Sequence, residues 1–228
     1  MRSLPGNNSK FNLKYAITEI ILITCGILIA FSIESWNDNL KKEKIKLHTL
    51  QEIKEGLLKD KEDMEETMKG GYEYRLECYK IVLEVLNNER KYETSLNKYF
   101  LALMGSSLLI SNTAPYETLK SRGLAIIDDD ELRNMVATYY DTKLEWLLEL
   151  EKDHHQHNIN YVRPKIFEYY NFTSKKELKS LNLNSMKQDT IFKGSLMWSW
   201  KSEEDIYNIY KDIKADVSEI IKMIDSIK

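Results

Sequence analysis

From Tyr15 to Ile33 the chain reads YAITEIILITCGILIAFSI, an apolar run carrying one carboxylate, Glu19. As a helix rising ~1.5 Å per residue it is about 28 Å long, close to the ~30 Å hydrocarbon core of a bilayer. No other feature constrains the fold as strongly, because the rest of the chain is polar. Even with this run included, charged residues make up 30% of the whole chain, and its mean hydropathy is -0.47. The stretch Leu101–Ile110 is too short to span a bilayer and is interrupted by Gly105, Ser106 and Ser107, so it reads as buried core. The sequence therefore predicts a basic tail (1–14), a single transmembrane helix (15–33) and a helical-bundle domain (34–228).

The flanks suit an anchor. Arg2, Lys10 and Lys14 precede the run without an acid, and Tyr15 and Trp36 stand where interfacial aromatic anchors are expected. Lys41, Lys42, Lys44 and Lys46 on the far side weaken the charge asymmetry. The purely basic, adjacent N-terminal flank favours an inner-membrane chain with its N-terminus inside and its bulk in the periplasm. The alternative is a cleaved signal peptide with an Ala30-Phe31-Ser32 site. Against it, Glu19 sits where the apolar region of a signal peptide would begin. Glu19 has three readings: it snorkels to the headgroups, contacts another membrane helix, or takes part in proton or ion chemistry. Gly26 and Ala30 form a small-xxx-small pair through which two helices can approach.

These residues also carry a resemblance. Tyr15, Ala16, Ile17, Glu19 and Ile20, then Gly26 to Ala30, then Trp36, Asn37 and Asp38 resemble the opening of an uncharacterised family of bacterial single-pass membrane proteins. A second stretch is also similar: Tyr116-Glu117-Thr118-Leu119-Lys120-Ser121-x-Gly123, then Asp130-Glu131-Leu132-Arg133 and Tyr139-Tyr140. The resemblance covers residues 10 to 160. It implies a membrane anchor and a helical domain, and it supplies no activity and no catalytic residues.

Downstream the composition is helical, with 8 Gly and 3 Pro in 228 residues. The first helix continues from the span as a stalk to Lys69. Leu50, Leu57 and Met64 keep a seven-residue spacing, but Lys54 and Lys61 intervene, which favours a bundle stripe over a long coiled coil. Gly70-Gly71 predicts a turn or kink. A helix over Tyr72–Leu86 presents Tyr72, Leu76, Tyr79, Leu83 and Leu86, and another follows at Leu96–Met104. Pro115 opens a further helix and Gly123 closes it. Ala125–Ile127 reads as an extended bridge. Asp128-Asp129-Asp130 caps a helix from Glu131 through Asn158, which Pro164 should break or kink. Ser202 reads as the cap of a last helix, Asp205–Ile227. The fold class is all-α, one membrane helix leading into a helical bundle.

Few residues suggest chemistry. Asp153, His154 and His157 lie at helical spacings that could present metal ligands, but no HExxH is present and the plainer reading is a polar helix end. Cys25 and Cys78 cannot pair with each other, and Cys78 reads as packed rather than reactive. Trp198-Ser199-Trp200 reads as a loop stapled onto the bundle. No phosphate loop, dinucleotide or nucleic-acid signature is present, so no cofactor and no nucleic-acid partner are expected. A net charge of -3 agrees. The expected role is a membrane-tethered interaction or scaffold module with the lipid bilayer, a second copy or another membrane protein as partner. An extracytoplasmic ligand sensor and a metal-dependent enzyme are the alternatives.

Overall fold

The structure, a computed structural model, describes residues 13–172, 178–180 and 182–227. Arg2 and Lys10 of the basic tail lie outside them. Helix α1 (Leu13–Thr67) passes through a π-helical turn (Met68–Tyr72) into α2 (Glu73–Leu86). Short helices α3 (Asn97–Ala102) and α4 (Ala114–Arg122) follow. Then come α5 (Asp130–Thr138), a second π turn (Tyr139–Leu144), α6 (Glu145–His157), a third π turn (Asn158–Val162) and α7 (Arg163–Tyr169). The chain ends in α8 (Leu183–Gln188) and α9 (Thr190–Ser226). The all-α expectation holds, with one small addition. Strands β1 (Tyr170–Phe172) and β2 (Leu178–Ser180) pair antiparallel, Tyr170 opposite Ser180.

The chain divides into two units, one ending at His48 and one beginning at Thr49. The first is the N-terminal part of α1. It contains a stretch long and apolar enough to cross a membrane, with mean hydropathy 2.0 and none of it buried. Ile20, Ile27 and Phe31 are 63%, 64% and 69% exposed. Two hydroxyls in this stretch bond within the helix: Thr24 Oγ1 donates to the Ile20 carbonyl at 2.8 Å and Ser32 Oγ to the Leu28 carbonyl at 2.7 Å. Such back-bonding hides a hydroxyl from an apolar solvent.

The second unit holds two apolar clusters. One joins Leu50, Ile53 and Leu57 of α1 to Leu132 and Val136 of α5 and to the C-terminal half of α9. The other joins Tyr79, Val82 and Leu86 of α2 to Phe100, Ile166 and Phe192. Helix α9 serves both, because its buried positions Leu196, Ser199, Glu203, Ile206, Tyr210, Ile213, Val217, Ile220 and Ile224 alternate three and four apart. That rhythm keeps one stripe of the helix against its neighbours along its length.

Several local expectations change. Gly70-Gly71 makes no turn; both lie in the first π turn, where the chain stays helical. Pro164 does not end its helix. It stands at the start of α7, and the preceding π turn gives room for a ring that lacks an N–H and crowds the previous turn. The last helix begins at Thr190, capped by Asp189 through the Phe192 N–H at 2.8 Å, so Ser202 and Trp198-Ser199-Trp200 are interior helix positions. Residues 124–126 form a 3-10 turn rather than an extended bridge. Leu103 and Leu109 are buried, but Leu108 and Ile110 are exposed, so Leu101–Ile110 is only partly core. The cap from the Asp128–Asp130 run is present: Asp129 Oδ1 accepts the Leu132 N–H at 3.0 Å. Pro115 lies in the first turn of α4, and Gly123 ends that helix at φ 98°, a left-handed conformation glycine adopts without strain.

Candidate functional site

Between the two apolar clusters, α2, α6 and α9 each replace apolar residues with polar ones. On α2, Arg75 sits between Tyr72 and Tyr79. On α6, Glu151 and His154 follow Leu147. On α9, Ser199 and Glu203 separate Leu196 from Ile206. All five polar residues are buried. Because the stripes carry these residues at the positions that face the core, their side chains meet in one layer.

Two carboxylates organise the layer. Arg75 Nε donates to Glu203 Oε1 at 2.5 Å, and Arg75 Nη1 donates to Ser107 Oγ at 3.0 Å. The guanidinium carbon lies 5.0 Å from the centre of the Tyr72 ring. Glu151 is more fully satisfied: Oε1 accepts from the hydroxyls of Tyr72, at 2.9 Å, and Tyr210, and Oε2 accepts the Leu109 N–H at 2.8 Å. Burial raises the Glu151 pKa, and those three donors oppose the rise. Among the described residues, Arg75 Nη2, Glu203 Oε2 and His154 Nε2 have no hydrogen-bond partner. His154 Nε2 stands 3.6 Å from Glu203 Oε1.

Burial pushes the Glu203 carboxyl up to about 7, against the pull of the Arg75 charge. Burial, helped by the Arg75 charge and by His157 and His155, lowers His154 to about 3. His154 is thus neutral across the ordinary pH range. None of these groups is open to a substrate, so the layer is an internal titratable element and not an exposed catalytic set.

The layer also holds a loop. Residues 105–109 have no regular structure, and several of their polar groups are met from the layer and its edge. Ser107 bonds to Arg75, the Leu109 N–H to Glu151, and Ser106 Oγ lies 2.5 Å from His155 Nδ1. Asn158 donates to the carbonyls of Leu103, at 2.6 Å, and Gly105. Gly71 leaves room for this approach, since a Cβ there would collide with Ser107 Oγ as it is placed to meet Arg75.

The metal candidates do not converge. Asp153 is exposed, His154 is buried beside Glu203, and His157 Nε2 lies 3.2 Å from the Ser195 carbonyl oxygen with its ring 4.0 Å from that of Trp198. Among the described residues no three His, Cys, Asp or Glu side chains gather to hold an ion. Cys78 is buried, and burial pushes its thiol up to about 11, as fits a packed rather than a reactive residue.

In the first unit Glu19, Gly26 and Ala30 are exposed, and 100° per residue places the three within roughly 40° of one another around the helix. A Cβ on Gly26 would meet nothing within 4 Å. Tyr15 and Trp36 are exposed as well. No family model, curated protein or solved structure matches the chain.

Sequence reasoning missed Arg75, Glu151 and Glu203. Starting the last helix at Asp205 cut its stripe short, although the three-four rhythm runs back through Glu203, Ser199 and Leu196. A charged residue in phase with an apolar stripe was the available signal.

At pH 8, where Glu203 is ionised, Arg75→Met should cost about 3–5 kcal/mol, because the carboxylate is left buried without its counter-charge. Adding Glu203→Leu should restore most of that loss. Denaturant unfolding of the full chain in detergent micelles reads both, and a double variant no better than the single one would contradict the pairing.

The second prediction concerns pH. The folded Glu203 holds a proton up to about 7, whereas its ordinary value is 4.5, so its stabilising contribution is complete at low pH and is lost as pH rises through about 7. The folded His154 stays neutral down to about 3, whereas its ordinary value is 6.5, so its contribution is complete above 6.5 and is lost as pH falls toward 3. Relative to the parent, His154→Gln should therefore raise the melting temperature at pH 5 compared with pH 7, and Glu203→Gln should do the opposite. Tilts of the same sign in both variants would refute the assignment.

Proposed function

We propose that the chain is a single-pass protein of the cell inner membrane whose helical unit, mainly on the periplasmic side, works by binding rather than by catalysis. The observation that carries this reading is the apolar helix around Glu19, Gly26 and Ala30, which buries none of its surface in its own fold. A surface of that kind requires lipid or another membrane helix to cover it. Its small residues and carboxylate on one face suit a helix–helix contact, with a second copy or another membrane protein as the partner. The resemblance of the Tyr15–Asp38 segment to single-pass proteins supports the anchor, and the basic residues before it support the orientation.

A second reading, an extracytoplasmic sensor that signals through a partner, is favoured by the loop at residues 105–109. That loop is held by titratable groups, so a ligand or a proton that altered the layer would release it. Its signature would be a melting temperature that rises with added ligand.

The binding reading predicts that Glu19→Gln and Gly26→Leu each weaken association in native membranes by about 5- to 30-fold, the equivalent of ~1–2 kcal/mol per contact. Cysteine crosslinking within the span measures it. Unchanged crosslinking in both variants would overturn the helix contact.

A further inference from the structure

A groove of about 510 Å³ runs between α6 and α9 on the second unit. Its apolar lining comes from Ile209 and Ile213 of α9 and from Trp146, whose indole is 57% exposed. Three carboxylates rim it: Glu145 and Glu149 on α6 and Asp212 on α9. Glu145 and Glu149 are one helical turn apart, a spacing at which like charges repel. All three are exposed, and among the described residues none of them forms an ion pair. The two other charged groups of the lining are already engaged. Asp141 accepts from the Tyr116 hydroxyl at 2.5 Å and from Lys120 at 3.2 Å, and Lys143 pairs with Asp216.

The groove therefore presents an open indole beside three uncompensated negative charges, and this combination narrows the occupant. An apolar segment would desolvate the carboxylates without return. Anionic lipid or nucleic acid would be repelled. A bare metal ion is disfavoured because no three acidic or histidine side chains gather around one point among the described residues. A lysine or arginine side chain meets every requirement. Its methylenes lie along the half-buried Ile209, above the core residue Ile213, and its cationic head sits over the indole within reach of the carboxylates. The groove is open along the surface and not a closed cage, which suits a segment of chain better than a free small cation.

We propose that this groove docks a lysine- or arginine-bearing segment of a partner protein. The inference deepens the binding role proposed above, but its test is separable, because it uses the second unit and leaves the span untouched.

The probe is a dye-labelled, end-blocked peptide alternating leucine with lysine and arginine, titrated by fluorescence anisotropy into the full chain in neutral detergent micelles. Its counterpart with glutamate in place of the basic residues is the control. The cationic peptide should bind and the anionic one should not. Reversing Glu145 and Glu149 together to lysine should weaken binding at least about tenfold. Trp146→Ala should weaken it about fivefold. These residues are exposed, and circular dichroism of each variant checks that its helix content is unchanged. Trp198→Ala, which removes an exposed indole outside the groove, should leave binding as it was. Failure of the cationic peptide to bind, or affinity unchanged in both groove variants, would overturn the proposal. So would displacement of the peptide by choline at comparable concentration, since that would mark a small-cation site. If crosslinking through the span fails while the peptide binds as described, the groove stands and only the membrane contact falls.

Discussion

The first unit is governed by an apolar helix that is long enough to cross a membrane and buries none of that stretch in its own fold. Residues around Ile20, Ile27 and Phe31 bury nothing in their own fold. In hydrocarbon the backbone can satisfy its polar groups only by closing its own helix. The hydroxyls of Thr24 and Ser32 obey the same rule by bonding back to carbonyls one turn earlier. Glu19 is the one group in the run that this arrangement leaves without a place in hydrocarbon, which is why it carries more information than its neighbours.

In the second unit the organising interaction is the buried pair Arg75–Glu203, supported by Glu151 and the hydroxyls of Tyr72 and Tyr210. A buried ion pair adds little net stability compared with a well-packed apolar replacement, because both charges lose their hydration. It does penalise misalignment. Sliding α9 by one turn would set Ile206 or Ser199 opposite Arg75 and leave the guanidinium buried without a counter-charge. The layer also supplies bonds to a loop without regular structure, so one set of side chains aligns three helices and holds residues 105–109.

Much of this fold was legible in the sequence for physical reasons. A long apolar run reads as a helix long enough to cross a membrane, and scarce Gly and Pro between 3.6-period stripes leave little besides a bundle. The cap at Asp129 and the end of α4 at Gly123 were readable because each depends on one residue and its neighbours. What escaped depends on distant partners. Leu76 looked like the buried member of the Tyr72–Leu86 stripe, but it is half-buried while Arg75 faces inward, because Glu203 waits 128 positions away. Gly70-Gly71 looked like a turn or kink because nothing nearby in sequence shows that Ser107 presses against Gly71. Pro164 looked like a break or kink because a widened π turn leaves no mark in the apolar periodicity. The three carboxylates of the α6–α9 groove were invisible for the same reason, since they come from segments some sixty residues apart.

The account rests on α1 crossing a bilayer as part of the mature chain. The most direct measurement is the intact mass of the chain recovered from membranes after an alkaline carbonate wash. The account predicts a pellet holding the full 26.9 kDa chain. Release into the wash, or a chain shortened by cleavage near Ser32, would contradict it.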